Sequence, residues 1–216
     1  MNRPQIPSTF DRSKYDELVS RGMPAGLGDT ERACIMACLN LACGGSLTDA
    51  AESPCVLLAA AAFARSLNDS NWSSTRTRAD GLRDLGLALL GTSGIDGATF
   101  ARRLAEGTIR RVLPIALRAV GLGKEADRCE AHGSRESARA AASAARAADS
   151  AAAYAAYSAA RAAAYADSAA AYAACAAANS AARAADYAAD YAAADIPLLV
   201  AARLATEILT DMHGAL

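Results

Sequence analysis

Period-two alternation of β-branched residues is missing from all 216 residues, so no segment reads as a strand and the expected class is all-α. An excess of charge of one sign is missing too, because 22 Lys and Arg stand against 23 Asp and Glu. Such a balanced chain has no field to hold a polyanion or an anionic bilayer, so neither nucleic acid nor a membrane is an expected partner. No stretch has the length and apolarity of a transmembrane helix, the run from Cys55 to Ala64 being too short, and the N-terminus lacks the apolar core of a signal peptide. Without an export signal the six cysteines read as reduced thiols, and the expected compartment is the cytoplasm. Lysine occurs only as Lys14 and Lys124. The remaining basic residues are arginine, which together with the alanine excess suggests GC-rich coding rather than a designed basic surface.

What is present is helix punctuation. Asp11 is an N-cap with Phe10 before it, placed to staple onto Tyr15. After the turn GMPAGLGD, Asp29 is expected to cap a nearly all-apolar, central helix that runs to the Gly44-Gly45 stop. Ser53-Pro54 reads as the start of a third helix, ending in the turn-prone Asn68-Asp69-Ser70-Asn71. A fourth is expected from about Ser74 to Leu90, and GTSGIDG is a loop. From Ala98 the pattern is helical to Gly121, with Pro114 expected to kink or split it, and a short helix is expected over Glu125 to Ala131. The resulting division is a helical bundle domain over residues 1–133 and, over 134–216, a long alanine-rich helix with an amphipathic end.

In the second unit the absences become severe. Residues 138–194 hold 36 alanines in 57 positions and no Gly, Pro, Leu, Ile, Val, Met or Phe. Alanine is the best helix former and nothing here breaks a helix, so Ser134 to Asp195 would form a rod roughly 90 Å long if continuous. Its larger residues recur with a 3-4-4 spacing, an eleven-residue period that keeps them on a stripe about 100° wide. Six of the seven tyrosines lie in this segment, mixed with Ser, Arg, Asn and Asp. That mixture suits an interface as well as a solvated face, so Tyr154, Tyr157, Arg161, Tyr165, Tyr172, Arg183, Tyr187 and Tyr191 are candidate contact residues. Ala163 and Ala174, one repeat apart on the opposite methyl face, are candidates for the packing side. Methyl groups stabilise only through close backbone approach, so this face is expected to pack on another smooth helix, and the exposed remainder implies a homo-oligomer.

Candidate chemistry is thin. Cys34 and Cys38 lie one helical turn apart and could face Cys55, but neither His132 nor His213 is placed to complete a zinc site, and a thiolate nucleophile would need a helper base. No metal or other cofactor is therefore expected, and these thiols are expected to be small buried hydrophobes. Asp49, Asn68, Asp69 and Trp72, with Glu31 nearby, could cluster where loops meet, although Asx residues commonly serve as caps and turns. GTSGIDG and GLGDT neither follow a strand nor carry the Lys-Ser/Thr of a phosphate loop. No catalytic residue is assigned and the protein is expected not to be an enzyme.

The segment ERACIMACLNLACGGSLTD, continuing through PCVLLAAAAFARSLND, resembles an uncharacterised family of small helical actinobacterial and phage proteins over about residues 29–120. Cys34, Met36, Asp49, Pro54, Cys55, Asn68 and Asp69 fit its pattern, while Ala37 stands where an acidic residue would be. The resemblance implies a helical fold and a phage or mobile-element origin, with no activity attached. The alanine-rich repeat is similar to type I antifreeze proteins in composition and period, but residues 134–195 contain no threonine. The leading expectation is a non-enzymatic structural protein that self-associates, with an extended assembly as one form. The alternatives are an immunity or anti-defence module capturing a small ligand or host protein, and ice binding.

Overall fold

The computed structural model describes residues 6–51, 55–147 and 195–214. Among these the regular elements are all helices, with one isolated bridge between Gly28 and Ala33 and no strand. Helix α1 (Arg12–Ser20) begins where the sequence signals it: Asp11 accepts from the Lys14 amide at 3.0 Å, and the rings of Phe10 and Tyr15 lie 6.2 Å apart. Helix α2 (Ile35–Ala42) starts later than expected. Asp29 does not cap it; its carboxylate accepts from the amides of Glu31 and Arg32 at 2.8 Å and closes a tight turn, because the Gly28–Ala33 bridge diverts the chain before a helix can form. Cys34 takes the N-cap position instead. The end is as read, with Gly44 at φ 79° and the Gly45 amide returning to the Asn40 carbonyl.

Helix α3 (Leu58–Asn68) opens at Leu58, beyond the Ser53-Pro54 signal, whose residues lie outside the described ones. The Leu57 amide donates to the Thr92 hydroxyl at 2.9 Å, so the entry to α3 is held by a loop from far along the chain. Helices α4 (Thr75–Leu89) and α5 (Gly97–Gly107) are capped by Ser74 and Asp96. A π-helical turn, Thr108–Val112, follows α5 and leads into α6 (Leu113–Ala119). It stands immediately before Pro114, whose ring would collide with the Arg110 carbonyl in α-helical register. The wider turn is how the chain absorbs the break expected at that proline. Helix α7 (Gly123–His132) ends at Gly133, φ 60°, and Ser134 caps α8 (Arg135–Ala147) by accepting from the Ser137 amide.

The last helix, α9 (Ile196–Gly214), falls elsewhere than the two-unit division of the sequence places it. It packs chiefly on α4 and also on α3, α5 and the π turn, contributing Leu198, Ala201, Ala202, Leu204, Ala205, Ile208 and Leu209 to the core built by α1–α5. Two glycines admit it: a β-carbon at Gly81 would come within 2.9 Å of Leu199, and one at Gly107 within 2.5 Å of Leu204. Asp195 ties its start to the Ser73 amide at 2.9 Å, and salt bridges run from Arg103 to Asp211 and from Arg111 to Glu207.

Two cores result. The first is large and holds Tyr15, Phe63, Phe100, Leu82, Leu85 and Leu104, all essentially inaccessible. The second joins the π turn, α6, α7 and α8 through Ile109, Leu113, Leu117, Ala126, Cys129 and four alanines of α8. The boundary between cores therefore does not coincide with residue 133: α8 belongs with α7, and residues 196–214 belong with the first bundle. The π turn touches both α8 and α9. The continuous alanine-rich helix expected from Ser134 to Asp195 falls, beyond Ala147, outside the described residues.

Candidate functional site

Of the polar residues singled out around α2, Asn68 and Asp69 are adjacent and bonded to each other, and they otherwise face backbone of the loop before α2. Asn68, at the end of α3, accepts from the Ile35 amide at 3.3 Å and donates to the Pro24 carbonyl at 3.0 Å and to Asp69 at 3.2 Å. Asp69 accepts from the Gly26 amide at 2.8 Å. Cys34 Sγ receives the Ala37 amide at 3.5 Å, so the first turn of α2 is capped from two sides. Trp72 gives its indole N–H to the Leu67 carbonyl at 2.8 Å, and Glu31 sits in the Asp29 turn. These contacts pin the 21–34 loop to the end of α3. They engage both ends of the Asn68 amide and one oxygen of Asp69 with backbone of that loop and the start of α2.

Arg78, marked by no signal in the sequence, reinforces this junction. It is 7 % exposed and donates to the Met23 carbonyl at 2.9 Å and the Ser70 carbonyl at 3.3 Å. Burial lowers its pKa while the charges of Asp69 and Asp195 oppose that shift. Its partners are backbone groups in loops, which no helical periodicity marks.

Cys34, Cys38, Cys43, Cys55 and Cys129 are not in disulfides, and all but Cys43 are buried. Burial pushes the Cys38 thiol up to about 12, and it donates to the Ala33 carbonyl at 3.4 Å. Cys34 and Cys129 are likewise raised, first by burial. Thiols held protonated in this way are poor nucleophiles and poor metal ligands. No group of three or more His, Cys, Asp or Glu among the described residues could hold a metal ion.

Two grooves flank α9. One, of about 210 Å³, lies against α4 and is lined by Asp80, Asp84, Arg203 and Glu207. The other, of about 370 Å³, runs along α5 and the π turn. Its arginines, 103, 110 and 111, are each paired with a carboxylate of the same lining, Asp211, Glu106 and Glu207 respectively. The carboxyl of Glu207 is held below the ordinary carboxylate range by its hydrogen bond to Arg111. Charge within that groove is thus balanced internally.

The remaining surface of interest is the alanine face of α8. Ala138, Ala141, Ala142 and Ala145 are buried on the second core, while Arg139 and Ser143 are exposed. Tyr154, Tyr157, Arg161, Tyr165, Tyr172, Arg183, Tyr187 and Tyr191, with Ala163 and Ala174, lie outside the described residues.

Fold and surfaces together define an all-α protein with two unequal cores, in which no helix among the described residues is long and apolar enough to cross a membrane. No protein-family model, curated protein or solved structure matches the chain.

Proposed function

We propose that this is a non-enzymatic interaction protein whose helical body anchors an alanine-rich segment, and that a second copy of the chain packs against that segment. The burial of Ala138, Ala141, Ala142 and Ala145 carries the reading, because it displays the alanine face in use as a helix-packing surface. Stepping by eleven from Ala141, which is fully buried, gives Ala152, Ala163 and Ala174, so the sequence repeats the same small residue at the same register. Asp149, Asp167 and Asp186 fall at the registers of Ala138, Ala145 and Ala142, which limits any dry contact to the stretches between them. The tyrosine stripe is assigned to the rim of that contact or to a second contact. A reducing, cytoplasmic setting is supported by the cysteines that are not in disulfides.

A ligand-capturing module of phage or mobile-element type ranks second. It would need an open polar pocket between residues 29 and 120, where Asn68, Asp69 and Arg78 are engaged with backbone instead. Ice binding rests on composition alone.

Light scattering across a concentration series tests the leading reading. Wild type should exceed monomer mass, and the Ala163→Glu, Ala174→Glu double variant should fall to monomer with its helical circular dichroism retained. A wild-type monomer at the highest concentration would refute it.

A further inference from the structure

The second core is the weaker of the two by composition. Of its nine buried residues, Ala126, Ala138, Ala141, Ala142 and Ala145 are alanine and one is Cys129. A buried Leu carries three more carbons than Ala, on the order of 2 kcal/mol of burial each, so this cluster draws little from the hydrophobic effect. Regions of that kind open on their own at low cost.

What closes it is polar. Arg110, in the π turn, donates through Nη1 to the Glu130 and Ala131 carbonyls at 3.0 and 2.9 Å, and through Nη2 to the His132 carbonyl at 2.8 Å. Those are the last carbonyls of α7, which lack intrahelical donors and carry the negative end of the helix dipole. Arg110 Nε is held by Glu106 at 3.2 Å, so the guanidinium is oriented from its own helix. Gly133 lies directly beneath it: a β-carbon there would overlap the guanidinium, and its φ of 60° is the turn from α7 into α8.

We propose that Arg110 is a latch that holds α8 closed on the second core, and that releasing it opens α8 while the first core stays folded. The π turn matters because it touches α7, α8 and α9 alike, and it sets Arg110 across the α7 terminus. With the latch undone, α7 loses its cap and the α7–α8 corner loses the surface that seats Gly133. Cys129 and the alanine face of α8 then become accessible.

Cys129 is a built-in reporter. It is fully buried between α7 and α8, whereas Cys34 and Cys38 are buried in the first core. Maleimide labelling of the full chain, read peptide by peptide by mass spectrometry, compares wild type with Arg110→Ala and Arg110→Lys. In Arg110→Ala, Cys129 should label about tenfold faster or more, with Cys34 and Cys38 as protected as in wild type. Lysine offers a point charge in place of a planar fork and should give an intermediate rate. Gly133→Ala, which displaces the guanidinium from below, should reproduce the alanine pattern. Unchanged Cys129 labelling in Arg110→Ala overturns the proposal, as does acceleration of all three thiols together, which would mean that the two cores open as one.

Discussion

The two cores bury helices by different means. In the first, glycines make room for large side chains: Gly86 sits where a β-carbon would strike the Tyr15 hydroxyl, which donates to the Arg83 carbonyl at 2.8 Å. Burial drives the Tyr15 pKa upward and keeps the phenol a donor. In the second, the side chains that α8 buries are themselves nearly as small as glycine, and backbone carbonyls are held by an arginine. Where apolar area is plentiful, polar contacts refine the packing; where it is scarce, they decide whether a helix stays docked.

The largest effects should separate the cores. Leu82→Ala, at a fully buried site of the first core, should cost about 2–5 kcal/mol and unfold the protein cooperatively in urea at a lower midpoint, with Cys34 and Cys38 exposed in step. Leu117→Ala, equally buried but in the second core, should chiefly expose Cys129 and leave the main transition near its wild-type midpoint. Equal shifts in the main transition would erase the distinction between the cores.

Close packing in the first core should show as non-additivity. Gly86→Ala should cost about 1–3 kcal/mol through overlap with Tyr15, whereas in a Tyr15→Phe background the clashing hydroxyl is gone and the penalty should shrink. Additive costs in a double-mutant cycle would show that the hydroxyl is not what Gly86 accommodates. At the α2 junction, Asn68→Ala leaves the Ile35 amide and Pro24 carbonyl without this partner and should cost about 1–3 kcal/mol, read from the urea midpoint. A neutral substitution would remove the structural role assigned to that cluster.

The smallest effect concerns pH. The Glu207 carboxyl lies below its ordinary range in the folded chain because Arg111 donates to it, so the folded state binds that proton less readily than the unfolded one. Its contribution is full above the ordinary carboxylate range and is lost as pH falls through the depressed value. The side chain is 58 % exposed, so at most about 1 kcal/mol is at stake. Glu207→Gln should therefore lower stability slightly at neutral pH and flatten the acid limb of the stability curve. An unchanged limb would mean that the link from the π turn to α9 carries no net energy.

Local signals were legible where a neighbour in sequence supplies the partner. Asp11, Ser74 and Ser134 start helices through amides three residues on, and Asp96 does the same from within a stretch read only as a loop. Asp29 and the start of α2 were misread because a capping aspartate and a turn aspartate look alike until the Gly28–Ala33 bridge is seen. The cluster of Asn68 and Asp69 was legible as a candidate, but its partners Pro24, Gly26 and Ile35 are backbone groups more than thirty residues away, so its inward direction was not.

By itself the sequence determined the helical class, through alanine's propensity and the missing strand pattern, and placed most helix ends, because capping is satisfied within a turn. Tertiary structure alone decided that α9 returns to α4, that the cores divide within the α5–α6 run, and that Arg110 seats Gly133. Those outcomes turn on which apolar faces find room against which glycines, and on carbonyls that only a distant side chain can reach. Neither is encoded in the spacing of neighbours along the chain.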